Sequence, residues 1–278
     1  MGNDKSKNDN DEKFNSFIEN IDIEEIDLEE EEALDKTKEL FKNAIDFFSV
    51  QQEHRNENRE KTKPVYGAMS YGHIVCLGAI NSLIKRYNLK PGKTNEKITN
   101  SLSLLSSFFQ SIDICEVAIT ESIYVQATAL LKQEMEIISA FEEIWKDKRE
   151  DGVTPNVSNL KFDLNKLYGD INDIAHTGKQ KILNEFFQVD LKTGNKIKPT
   201  SITPVFDKKL ARRLFGLHLA LMIQGALCLD RLFNEMYDEG FAKKEYTFIS
   251  YAGQTLVKEG WLVSKEEKTE NPNWPEPK

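Results

Sequence analysis

The 278-residue chain is 30% charged and 39% apolar with a formal net charge of −9, the balance of a globular chain long enough to bury a sizeable core. The charge is unevenly placed: residues 1–32 hold thirteen Asp/Glu against three Lys, a net of −10, which leaves about +1 on residues 33–278. So neutral a body has no broad basic field to gather nucleic acid, and any RNA contact would have to be local.

Residues 1–30 read as an acidic, largely disordered arm. Its start, Met1-Gly2-Asn3-Asp4-Lys5-Ser6, fits the loose myristoylation pattern MGxxxS, but the acidic residues that follow supply no second anchoring signal. Phe14, Phe17, Ile18 and Ile21 recur at helical spacing, so 14–32 is a candidate docking segment for a protein partner; the other reading is a solvated arm lying over its own domain. Residues 31–263 read as a single helical domain and 264–278 as a disordered, Pro-rich tail.

Within that domain, apolar periodicity predicts a helix from Glu31 to Gln52, then a charged linker, Glu53–Lys63, in which His54 is exposed. A second helix follows over 67–88, where Gly67, Gly72 and Gly78 suggest close packing and His73 reads as a hydrogen-bonded structural residue. Thr94 and Asn95 are candidate caps for a helix over Glu96–Thr120. A short helix over 180–187 leads to Thr193-Gly194-Asn195 with β-branched neighbours, a small β-hairpin near 187–206 that Pro199 and Pro204 keep short. Asp207 caps a long helix to Asp238, with Leu214, Leu217, Leu221, Gly225 and Leu232 inward and His218 as a core histidine. The last helix, Tyr246–Glu259, stops at Gly260, a natural C′ residue. The fold class is therefore mainly α, a multi-helix bundle with one small hairpin.

Cys76, Cys115 and Cys228 each lie in an apolar helical run, with no CxxC and no His at ligand spacing. They read as buried thiols of a reducing compartment, and the chain as cytoplasmic. The longest apolar run, Leu214–Leu229, contains His218 and Gln224 and reads as a central buried helix rather than a membrane span. No metal or cofactor is expected. Neither GxGxxG, a P-loop, GxSxG nor HExxH occurs, and a di-iron bundle would need two Glu-x-x-His pairs where this chain has only Asp173-x-x-His176.

The unusual side chains fall on two helices between Glu121 and Gly178. On the first, Ala127, Leu130, Leu131, Ile138, Phe141 and Trp145 share one face, and Glu134 lies on that same line. A carboxylate there needs a partner or a proton. It is either satisfied by an Arg or Lys of a neighbouring helix, left at a stripe edge that reaches water, or held as a polarised acid in a site. On the second, Leu160, Leu164, Leu167, Ile171 and Ile174 form the core stripe. His176 faces away, on a side with Phe162, Asn165, Gly169, Asn172 and Asp173. That side is either solvated, packed on a second copy, or lining a cleft, and Gly169 would admit a close neighbour. Asp173 stands one turn before His176, placed to orient the imidazole and raise its pKa.

ATALLKQEMEIISAFEEI followed by LYGDINDIAHTGK resembles a group of bacterial helical proteins similar to the HEPN (higher eukaryotes and prokaryotes nucleotide-binding) superfamily, over residues 123–178. The resemblance implies a helical bundle, a homodimer, and a binding or regulatory role in bacterial defence or stress systems. Catalytic members cleave RNA without metal through an R-x4–6-H motif shared by two protomers. His176 matches that histidine and Asp170 the polar residue after the arginine, but the arginine position holds Gly169, Asp170 or Ile171. Without that guanidinium the resemblance implies fold and dimerisation more than catalysis, unless Arg212 or Arg213 supplies the cation. The expectation is a non-catalytic binding protein. The alternatives are a ribonuclease using His176 with Asp173, or an adaptor working through its acidic arm.

Overall fold

The computed structural model of the chain describes residues 30–177, 180–188 and 200–262. The described residues up to Val50 belong to one unit and those from Gln51 onward to a second. The first described helix, α1 (Glu30–Thr62), contributes to both. It is followed by α2 (Met69–Tyr87), α3 (Glu96–Thr120), α4 (Tyr124–Trp145), α5 (Asn165–Ala175), α6 (Gln180–Phe187), α7 (Lys208–Tyr237) and α8 (Lys243–Lys258). Single 3-10 turns stand at Lys63–Val65 and Val157–Asn159.

The bundle from Gln51 onward is built around α7. Every residue from Leu214 to Ala226 is buried, so this stretch of the helix has no solvated side, and α2, α3, α4 and α8 all pack on α7. Each buried Leu, Ile or Phe removes enough apolar area to favour the fold by roughly 1.5–3 kcal/mol. Close approach needs small residues at two crossings. A Cβ on Gly225 would stand 2.5 Å from the ring of Phe108 on α3, and one on Gly72 of α2 would stand 2.2 Å from Oγ1 of Thr255 on α8. Gly78 differs from the sequence expectation, since a Cβ there meets nothing within 4 Å.

The helix ends follow from local chemistry. Asn95 and Asp207 cap α3 and α7 as expected, their side chains accepting from the Ile98 and Leu210 amides at 2.8 Å. Gly260, with φ +67°, ends α8 in a Schellman turn: the Trp261 amide donates to Leu256 O at 2.8 Å and the Gly260 amide to Val257 O at 2.9 Å. Ser122 and Asp147 take the same left-handed position after α3 and α4.

Three boundaries depart from the sequence reading. The charged stretch 53–62 is the last part of α1 rather than a linker. Lys61 pairs with Glu57 one turn away, Asn58 donates to Pro204 O at 2.9 Å, and the Thr62 hydroxyl reaches Thr120 O at 3.0 Å. His54 is consequently half-buried. The helix expected to run through Leu160 and Phe162 is broken there. Phe162 and Asp163 have φ +61° and +58°, and the Lys161 amide donates to the Gln224 side chain of α7 at 2.9 Å instead of to a helical carbonyl. The expected hairpin is not supported: the described residues contain no strand, only one antiparallel bridge between Gln188 and Thr200, and 189–199 lie outside them. The acidic arm before Glu30 and the tail after Leu262 also lie outside the described residues.

By length and composition α3 and α7 are apolar enough to cross a membrane, because α7 runs well beyond the 214–229 core on both sides. In the fold, 83% of the most apolar window of α7 is buried by other parts of the chain, against 39% of that of α3. The outer side of α3 carries Thr99, Asn100, Ser103, Ser106, Ser107, Gln110 and Asp113 together with the exposed Leu102, Ile114 and Val117.

The contact between α2 and α8 is closed by a polar clamp. Glu245 accepts from the Ser82 hydroxyl at 2.6 Å, from the Arg86 guanidinium, and from the Ala242 amide at 2.6 Å. Burial alone would raise this carboxyl's pKa; the hydrogen bonds and the cation outweigh burial and hold it below the ordinary 4.5. A depressed carboxyl stabilises the fold above its ordinary pKa and loses that contribution as pH falls through the folded value. Glu245→Gln is expected to cost about 2 kcal/mol near neutral pH. In urea unfolding, its gap from the wild type should be constant above 4.5 and close as the pH is lowered past the folded-state pKa. A gap independent of pH would contradict the clamp.

Candidate functional site

Polar residues at stripe-centre positions of four helices converge in the middle of the bundle. On α4, Glu134 stands between Leu131 and Ile138, and on α7 His218 stands between Leu214 and Leu221. On α3, Cys115 follows Phe108 and Ile112, and on α2, His73 lies between Met69 and Cys76. Because each helix turns its apolar stripe to the same core, a polar residue within a stripe has only the other stripes to meet. Glu134, His218 and Cys115 are each 0% exposed.

The imidazole Nδ1 of His218 lies 3.0 Å from Oε1 of Glu134 and 3.1 Å from Oε2. Its hydrogen bond is directed at Oε2, so Oε1 is left without one. The Cys115 thiol lies beside the same carboxylate; burial, and then the charge of Glu134, push that thiol well above its ordinary pKa. One ligand-type atom each from Cys115, Glu134 and His218 lies within 4.8 Å of the other two. His73 stands behind, its ring centre 5.6 Å from that of His218. Burial, and then the neighbouring His218, lower its pKa to about 3, so this imidazole is neutral. Tyr66, stacked on Phe215 with ring centres 3.7 Å apart, closes the cluster, and burial raises its hydroxyl above the ordinary value.

Several polar atoms of this cluster are buried without a hydrogen-bond partner: Oε1 of Glu134, Nε2 of His218, Nε2 of His73 and the Tyr66 hydroxyl. An unsatisfied buried group costs about 1–3 kcal/mol, and folded proteins carry few of them. So many in one place mark the cluster as more than incidental core polarity. Among the described residues Glu134 is thus neither paired with an Arg or Lys nor at a water-reaching edge; a histidine partners it and a thiol lies beside it. Sequence spacing conceals the grouping because 19 residues separate Cys115 from Glu134 and 84 separate Glu134 from His218. The signal that could have found it is that Glu134 and His218 both occupy otherwise apolar faces.

The second candidate is the outer side of α5. His176 is the exposed residue just past the end of the helix, and its amide donates to Asn172 O at 3.0 Å. Its side chain is exposed, one turn after the half-buried Asp173. Asn165 and Gly169 are exposed and Asp170, Asn172 and Asp173 half-buried, while a Cβ on Gly169 meets nothing within 4 Å. Phe162 is exposed but belongs to the break before α5. Arg213 of α7 lies within electrostatic reach of Asp170; burial lowers its pKa to about 10 against the pull of that carboxylate. Arg212 is committed elsewhere, donating to Val65 O at 2.8 Å and to Glu259 Oε2 at 2.6 Å. A cleft of about 190 Å³, lined by Arg55, Ser122, Tyr124, Phe186 and Thr203 among others, contains none of the residues of either candidate.

Removing one member of a buried ionic or hydrogen-bonded pair strands the other. His218→Ala is expected to lower stability by about 3–5 kcal/mol, and Glu134→Gln, which keeps an acceptor for Nδ1, by about 1–2 kcal/mol. Urea unfolding monitored by far-UV circular dichroism measures both, and a His218→Ala loss no larger than that of Glu134→Gln would contradict the pairing. Compared with known proteins, the chain matches no protein-family model, no curated protein and no solved structure.

Proposed function

We propose that this chain is a helical binding or regulatory protein of HEPN-like architecture, non-catalytic, homodimeric, and part of a bacterial defence or stress response. The observation that carries the reading is the state of His176. It is exposed just past the end of α5, and the positions four to six residues before it, where the ribonuclease motif carries its arginine, hold Gly169, Asp170 and Ile171. The outer side of α5, with Asn165, Gly169 and His176 exposed and Asn172 half-buried beside them, is then a recognition surface rather than a reaction centre. Three free, buried cysteines suit a cytoplasmic setting.

A metal-independent ribonuclease is the second reading, favoured by the proximity of Arg213 to Asp170. This places a guanidinium beside the helix that ends at His176, although it comes from another part of the chain than the usual motif. Labelled single-stranded RNA incubated with the purified full chain separates the two. The binding reading expects no cleavage above buffer from the wild type, His176→Ala or Arg213→Ala. Cleavage by the wild type that falls by about 10²-fold or more in His176→Ala would overturn it in favour of the enzyme.

A further inference from the structure

We propose that Cys115, Glu134 and His218 form a buried binding site for one divalent transition-metal ion of the zinc type, with His73 as its supporting residue. This goes beyond the surface reading above and does not depend on it.

The donor set is the first argument. A thiolate, an imidazole and a carboxylate suit zinc, cobalt(II) or iron(II), and the sulfur and nitrogen disfavour magnesium and calcium, which take oxygen ligands. Geometry is the second. Bonds of about 2.0–2.1 Å to nitrogen and oxygen and 2.3 Å to sulfur, at tetrahedral angles, hold the ligand atoms roughly 3.3–3.6 Å apart. Here the donor atoms all lie within 4.8 Å of one another, with Nδ1 of His218 and the Glu134 oxygens at 3.0 and 3.1 Å. Only small side-chain shifts separate that arrangement from coordination.

Charge is the third argument. Cys115 as thiolate and Glu134 as carboxylate bring two negative charges, so a divalent ion leaves the core with no net charge. Among the described residues no Lys or Arg ion pair reaches Glu134 to perform that neutralisation. On binding, the ion displaces the thiol proton of Cys115, which leaves to solvent, and bonds form to Sγ, a carboxylate oxygen and an imidazole nitrogen. The unpartnered atoms are the fourth argument. Ligation at one nitrogen of His218 fixes a proton on the other, and metal-bound histidines characteristically donate that N–H to an acceptor. His73, with its own buried Nε2 unpartnered and its ring 5.6 Å away centre to centre, is the group placed to receive it.

Since all three ligands are fully buried, the ion enters as the bundle folds. The test therefore unfolds the full chain in urea with a chelator and refolds it with cobalt(II) or zinc(II), or with chelator alone. The proposal expects one ion per chain after desalting, an intense near-ultraviolet thiolate-to-cobalt band, and a higher Tm for the metal-refolded protein. Cys115→Ala should lose the band and the Tm difference, while Cys76→Ala and Cys228→Ala keep both. If Cys115→Ala does not refold, a band retained in both other cysteine variants still assigns the thiolate to Cys115. Refolded wild type without stoichiometric metal, or a thiolate band that survives in Cys115→Ala or disappears in Cys76→Ala or Cys228→Ala, overturns the site.

Discussion

The interaction on which the core depends is the contact between a carboxylate on α4 and an imidazole on α7, both sealed from water. An isolated charge at that depth would be prohibitively costly, so α4 and α7 must meet in the register that brings Glu134 to His218. Apolar stripes alone tolerate sliding and rotation, because one leucine substitutes for another along a ridge. A polar pair does not. The same register delivers Cys115 from α3 and His73 from α2, so one constraint fixes four helices at once.

That constraint accounts for the economy of the rest. The middle of α7 is surrounded on every side, which requires small residues where neighbours cross, at Gly225 against Phe108. The outer clamps, Glu245 with Arg86 and Ser82, and Glu259 with Arg212, tie α8 back to α2 and α7 near opposite ends of α8. Glu245 is buried in its clamp and Glu259 half-buried in the other, so both join neighbouring helices outside the central cluster. The surface on α5 is thus presented by a scaffold whose rigidity is set elsewhere.

Much of this was legible in the residues. Apolar spacing placed the helices, and Asn95, Asp207 and Gly260 marked ends that follow directly from side-chain capping and left-handed backbone. Angular position singled out Glu134 and set His176 outside the core stripe of its own helix. Partnership was not legible, because periodicity describes one helix at a time while His218 is 84 residues from Glu134. The break before α5 was hidden for a related reason: it depends on Gln224 of α7 capturing the Lys161 amide, a tertiary bond that no local pattern records. Likewise the polar sequence 53–62 reads as a linker until Pro204 and Thr120 are seen to accept its hydrogen bonds.

The most direct measurement is a double-mutant cycle on the central pair, comparing Glu134→Gln, His218→Gln and the double variant in urea unfolding of the metal-free chain. Residues that act as a hydrogen-bonded unit show a coupling energy within about 0.5–3 kcal/mol, and this account places the pair at or above about 1.5 kcal/mol. Losses that simply add would mean that the two side chains do not support each other, and the organising role assigned to this contact would be wrong.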